Sequence, residues 1–223
     1  MSVLLKWLLD LLYPPKCMLC HRLMEDTDAP TCGRCMNECD EYDEKTHKVK
    51  NFKKFTASFY YEGHVRNAIR RFKFYGMTSY CATFAQWMTG RIRSELNGMY
   101  DLISWVPCSK RRKWTRGYDQ AELLAKELAK QLAVPCIQTL EKTRHTPRQS
   151  SMKNAAGRRA NAIGAYKVVE PGRIKGKRIL LVDDILTTGS TMSECGKMLL
   201  LAGSDELVCA AIAAVRQNSD RIR

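Results

Sequence analysis

Two neighbouring carboxylates followed by a cluster of hydroxyls are the residues of this chain best suited to chemistry. Residues 178–191 read RILLVDDILTTGST. The apolar run reads as a buried strand that delivers Asp183 and Asp184 at its carboxyl end, where open α/β sheets bind their ligands. Thr187, Thr188, Gly189, Ser190 and Thr191 then form a loop that opens a helix. Free N–H groups at a helix start, helped by hydroxyls and by a glycine that lets the backbone come close, suit a phosphate monoester. The two carboxylates are placed to accept hydrogen bonds from vicinal hydroxyls. A phosphate and a diol on one small scaffold describe a ribose 5-phosphate. A strand ending in an ordinary polar capping turn accounts for an Asp or a Thr singly, but not for both acids and the whole TTGST run. The nearby GRIKGKR, residues 172–178, is not a nucleotide phosphate loop, because its glycine spacing is wrong and no Ser or Thr follows the lysine.

Five of the ten cysteines lie within 23 residues. Cys17 and Cys20, then Cys32 and Cys35, form two CxxC turns, each of which lets two thiolates converge on one ion. Together they complete a closed tetrahedral shell, the pattern of a structural zinc ion and not of a catalytic one with an open position. Cys39, His21 and His47 are the alternative ligands nearby. A thioredoxin-like dithiol would sit at a strand-to-helix turn, and no such pattern surrounds these residues. The remaining cysteines are scattered in apolar context and read as reduced core residues, which implies a reducing, cytoplasmic setting.

Cations are the third resource. Lys110, Arg111, Arg112, Lys113 and Arg116 place five positive charges within seven residues, with Trp114 and Tyr118 interleaved. Phosphate attraction combined with base stacking suits single-stranded DNA, and a solvated basic loop explains the same residues equally well. Upstream, Arg66, Arg70 and Lys73 form a stripe beside Phe74 and Tyr75. That stripe reads either as a grip on single-stranded nucleic acid or as a solvated helix face, and the second is the simpler reading.

These groups need a frame. Residues 54–61 read as a strand, 64–75 and 79–96 as helices, and 101–106 as a strand ending at Pro107. Residues 118–133 form an amphipathic helix and 134–138 the next strand. Residues 178–182 are a buried strand, 190–202 a helix closed by Gly203, and 206–215 a last strand. Strands alternating with helices argue for an α/β fold, a parallel sheet flanked by helices. Residues 141–161, with six Lys/Arg and His145, read as an exposed, mobile loop. The chain of 223 residues is 45% apolar, which excludes a disordered polymer. Its net charge of +14 is uneven, −2 over residues 1–50 and +16 over residues 51–223. Residues 1–50 are accordingly read as an N-terminal helix with a small four-cysteine zinc module, and 51–223 as a body drawn to phosphate or to an acidic partner. Residues 1–13 have leucines at helical spacing and read as a helix docked on the body. A signal peptide fits less well, and no apolar run approaches the roughly 20 residues that span a bilayer.

The 178–191 stretch resembles the phosphoribosyl-pyrophosphate (PRPP) loop of type I phosphoribosyltransferases. Three further stretches, VPCSKRRKWTRGYDQ, KTRHTPRQSSMKNAAGRRAN and the paired CxxC, stand with it in an order that resembles the ComF/ComFC family of late-competence proteins. The resemblance runs from Pro14 to about Val215. It implies that Asp183 and Asp184 contact the ribose hydroxyls, that Thr187 to Thr191 wrap the 5-phosphate, and that Mg²⁺ bridges pyrophosphate and ribose oxygens. It implies that Cys108, Ser109 and Lys110 lie on the pyrophosphate side, and that Gln149, Arg158 and Asn161 belong to a mobile lid. Asp119 stands where the family's RG(F/Y)NQ pattern has Asn. Thr187 stands where purine-salvage enzymes carry an Asp that assists the base. The family setting implies a competence protein of DNA uptake, not integral to the membrane. Its expected partners are single-stranded DNA, a ComFA-like translocase and a DprA-like recombination loader. The alternative is an active transferase that moves a 5-phosphoribosyl group from PRPP to an acceptor.

Overall fold

The computed structural model describes residues 14–24, 29–43, 47–143 and 164–216. The expected helix over residues 1–13 and the lid residues Gln149, Arg158 and Asn161 lie outside the described residues. The centre is a four-stranded parallel sheet of β1 (Lys54–Tyr60), β2 (Leu102–Trp105), β5 (Ile179–Leu186) and β6 (Leu207–Ala214), in the order β1-β6-β5-β2. β6 reads LVCAAIAA and is buried along its whole length. That is the continuous apolar run of a central parallel strand with both faces covered. In β5 the period of two sends Leu180 and Val182 to one core, and Ile179 and Leu181 to the other.

The first core is closed by α2 (Gly63–Phe74), α3 (Tyr80–Glu95) and α5 (Gln120–Leu132). Each helix buries a stripe at helical spacing: Val65, Ala68, Ile69 and Phe72 in α2, and Ala121, Leu124, Ala125 and Leu128 in α5. The second core is closed by α6 (Ser190–Leu201), through Met192, Cys195 and Leu199. The loop before β1 also joins it. Asn51, with φ of 73°, donates from Nδ2 to the Ser193 carbonyl at 2.8 Å.

Three expectations change. Residues 134–138 form only a bridge, Ile103 to Cys136, flanked by bonds from Ile103 N–H to Pro135 and from Ile137 N–H to Ile103. Pro135 has no N–H to carry the ladder further. The basic stretch folds into α4 (Lys110–Arg116), begun by Ser109, whose hydroxyl accepts from Arg112 N–H at 3.4 Å, and ended by Gly117 at φ of 82°. The stretch read as a loop from residue 141 starts inside an antiparallel pair, β3 (Leu140–Lys142) and β4 (Tyr166–Val168).

The cysteine module packs into the body. Among its described residues the one short helix is α1 (Gly33–Asn37). Cys17, Met18, Leu19 and Cys35 are buried in the same core as Phe72 and Phe84. The Arg71 guanidinium of α2 donates to the carbonyls of Met18 and Leu19 at 2.7 and 2.6 Å. No helix among the described residues is long and apolar enough to cross a membrane.

Candidate functional site

At the carboxyl end of the sheet lies a cavity of about 760 Å³. Its floor is the end of β5. Asp183 and Asp184 are adjacent on an extended strand, so their side chains leave opposite faces. Asp184, buried, meets Lys73 of α2, with Oδ2 and Nζ 2.6 Å apart. Asp183 lies deep below the protein surface yet keeps part of its own surface open to the cavity. Burial, and then the charge of Asp184, push its carboxyl well above the ordinary carboxylate range, against the pull of Lys73 and of the Asp184 amide that donates to Oδ1 at 2.8 Å.

The turn after the acids lines one wall through Thr187 and Thr191. Thr188 is exposed, and its Oγ1 shares a hydrogen bond with the Ser190 hydroxyl at 2.8 Å. Gly189 begins α6 at φ of 68°, a left-handed conformation that strains any residue with a Cβ.

The wall above β2 is made by Val106, Pro107 and Cys108. Burial, and then Asp119, push the Cys108 thiol up to about 12, so it remains a protonated thiol and no nucleophile. Asp119 organises this wall. Its Oδ2 accepts from the Cys108 amide at 2.7 Å, and its Oδ1 accepts from Ala121 and Glu122 N–H at 3.1 and 3.4 Å, which caps α5. The D-Q-A-E run is the sequence signature of such a cap. Ser109 is buried beneath the start of α4. Lys110 reaches away from the cavity to Glu141 at 2.8 Å.

The proposed DNA-contact residues separate. Arg112 and Arg116 line the cavity. Arg116 also donates to Gln120 at 2.7 Å and covers the Phe74 ring at 4.8 Å. Lys113 pairs with Glu122 at 2.6 Å, and Arg111 faces outward. Trp114 is 87% exposed. Tyr118 donates its hydroxyl to the Phe72 carbonyl and so ties α2 to the start of α5.

The resemblance places Lys142 only at the start of the lid stretch 142–161, and nothing in the sequence marks Tyr166. They face the cavity from β3 and β4, Lys142 Nζ donating to the Tyr166 hydroxyl at 3.1 Å. Burial, and then Arg112, lower the Lys142 ammonium. The only signal in the chain was a lysine counted among many in a basic stretch.

The four predicted cysteines converge. The Sγ atoms of Cys17, Cys20, Cys32 and Cys35 all lie within 4.8 Å of one another, and those of Cys20 and Cys32 are 4.0 Å apart. Zinc–sulfur bonds of about 2.3 Å in a tetrahedron put the sulfurs about 3.8 Å apart, so the thiols fit such an ion. The amide of Arg22 holds the Cys20 thiol down at about 6, and the amide of Cys32 donates to Cys17 Sγ at 3.3 Å. Cys39 turns to the Cys35 carbonyl, and His47 bonds to Tyr42. Neither joins the group.

The family profile described as a phosphoribosyl transferase domain matches residues 119–223. The chain is 30% identical over 188 residues to Competence protein F of Haemophilus influenzae, covering 80% of this chain and 82% of that protein. It is 27% identical over 188 residues to Competence protein ComFC of Streptococcus pneumoniae, covering 84% of this chain and 77% of that protein. It is 34% identical over 105 residues to DNA utilization protein YhgH of Escherichia coli, covering 47% of this chain and 45% of that protein. A four-cysteine cluster packed on a parallel α/β body, matched along most of its length by competence proteins, makes this chain a member of the ComF/ComFC family.

Proposed function

We propose that this protein serves DNA uptake in natural transformation and that its cavity binds the ribose 5-phosphate part of PRPP. One observation carries the reading: Asp183 and Asp184, in the carboxyl-terminal half of β5, lie on the floor of a cavity whose next wall holds Thr187 and Thr191 of the following turn. The turn would take the 5-phosphate on backbone N–H groups and hydroxyls. Asp183 would accept from the ribose hydroxyls, while Lys73 holds Asp184 against α2. Arg112, Arg116 and Lys142 would face the pyrophosphate. The carboxylate oxygens suit Mg²⁺, which when bound would neutralise pyrophosphate charge. The four thiolates would hold a structural zinc ion.

Cytoplasmic single-stranded DNA, a ComFA-like translocase and a DprA-like loader are the partners that the family setting supports. Trp114, with Arg111 beside it on α4, gives the exposed stacking and cationic groups that a strand would use. Turnover, the transfer of the phosphoribosyl group to an acceptor with release of pyrophosphate, is the second reading. It is favoured by a cavity within the roughly 300–1,000 Å³ range of small-molecule sites and lined on several sides by cations. Calorimetric titration of PRPP with Mg²⁺ tests the binding. The wild type should bind, and Asp183→Asn should bind at least about tenfold more weakly. Equal affinities would refute the assignment.

A further inference from the structure

The α2 stripe, read from sequence as a solvated face, lines the cavity. Arg66, Arg70 and Lys73 follow one another at one-turn spacing, and all three face the space above the acids. Lys73 is engaged by Asp184, and of the cations on the other walls Arg116 is engaged by Gln120 and Phe74 and Lys142 by Tyr166. Arg66 and Arg70 are exposed, and among the described residues neither has a carboxylate partner. Both act electrostatically on the half-buried Tyr61 phenol, which also lines the cavity. Two like charges one turn apart repel each other, and an anion lying between them removes that repulsion.

The remaining chemistry of the wall is aromatic. Phe74, the last residue of α2, is 43% exposed at the cavity, with the Arg116 guanidinium stacked on it. Guanidinium pairs grip phosphate in a fork, and a ring carrying a stacked arginine offers a planar, cationic surface to a base. This wall does not share residues with the Thr187–Thr191 turn. The acids stand between the two, with Asp184 turned to α2 and Asp183 to the α6 side, near Cys195, whose thiol is pushed up by burial and then by Asp183.

We propose that the α2 face is a second ligand subsite, which takes a nucleotide with its phosphate on Arg66 and Arg70 and its base against Phe74 and Arg116. The subsite shares the cavity with the ribose-phosphate reading, and Arg116 with its pyrophosphate side, but neither Asp183 nor the Thr187–Thr191 turn that would hold ribose 5-phosphate.

Thymidine 5′-monophosphate is the probe, titrated with and without ribose 5-phosphate. It lacks the vicinal diol that the acids would recognise. The wild type should bind both ligands at once. Arg66→Ala/Arg70→Ala should weaken the nucleotide at least about tenfold, equivalent to about 1.4 kcal/mol, and leave ribose 5-phosphate unchanged within about twofold. Both substitutions fall on exposed helix positions and raise helix propensity, so the fold is retained. An oligothymidylate without terminal phosphate is the second arm. If it binds through the same arginines, the phosphate belongs to a strand. If only the monophosphate does, it belongs to a free nucleotide. Binding of thymidine as tight as that of its monophosphate would overturn the proposal. So would one-for-one competition with ribose 5-phosphate, no nucleotide binding, or a double variant that loses neither ligand or both equally. A wild type that binds the nucleotide and not ribose 5-phosphate would uphold this subsite and sink the ribose-phosphate reading instead.

Discussion

Asp183 has a titration with a definite sign. Burial and Asp184 raise its folded value above the ordinary carboxylate range. The folded state therefore holds a proton that the unfolded chain releases at lower pH. Stability is fullest below the ordinary carboxylate range, where both states are protonated, declines as pH rises from there to the raised value, and levels off above it. Thermal midpoints of the ligand-free protein should show this decline, and Asp183→Asn should remove its contribution. A variant with the wild-type pH profile would contradict the assignment. Asp119 makes a second case. Its two oxygens accept three backbone N–H groups, which answers the departure from the family's Asn: an amide could keep the α5 cap but not the bond from Cys108. Asp119→Ala should cost about 1–2 kcal/mol in urea unfolding, with Asp119→Asn between it and the wild type. If Asn proves as costly as Ala, the cap is not what Asp119 supplies. Of this residue-scale picture, the acid pair and the TTGST run were legible because few other roles demand those types together. The Lys73–Asp184 pair joins residues far apart in the chain, and no local spacing announces it.

The elements follow the same division. β5, β6, α2 and α5 were readable because each buries a long periodic or continuous apolar run. α4 buries no residue, so it has no apolar period to detect, and only Ser109 and Gly117 mark its ends. β3 and β4 have three residues each, too short for alternation to register. Residues 134–138 had strand composition, but Pro135 limits them to a bridge. α2 has most to do, since it presents cations to the cavity and a hydrophobic stripe to the core. Its anchor is Phe72, fully buried against Phe84 with ring centroids 5.6 Å apart. Phe72→Ala should lower stability by about 3–5 kcal/mol and weaken anion binding in the cavity as α2 loosens. A loss below 1 kcal/mol in chemical denaturation would show that α2 is held elsewhere.

Across the whole molecule, composition divides the chain near residue 50, but the core does not stop there. The Cys17–Cys20 knuckle is tied to α2 by Arg71, bonded to its carbonyls, and Met18 and Leu19 are buried in the same core as Phe72. Metal held by the four thiolates would therefore steady the helix whose other face lines the cavity. Chelation should raise hydrogen exchange in residues 63–74 as well as in the cysteine module, and lower the thermal midpoint. Exchange confined to residues 17–39 would show that the module is energetically separate. Neither link was visible in sequence, because the CxxC spacing identifies ligands and says nothing of what packs beneath them.

The central claim is that the acid-and-threonine bend after β5 cradles a ribose phosphate. A crystal structure of the protein soaked with ribose 5-phosphate addresses it most directly. The phosphate should lie within hydrogen-bond reach of the Thr188–Thr191 backbone and hydroxyls, with the ribose diol on Asp183. A ligand ordered elsewhere, or a bend whose side chains turn away from it, would refute the cradle.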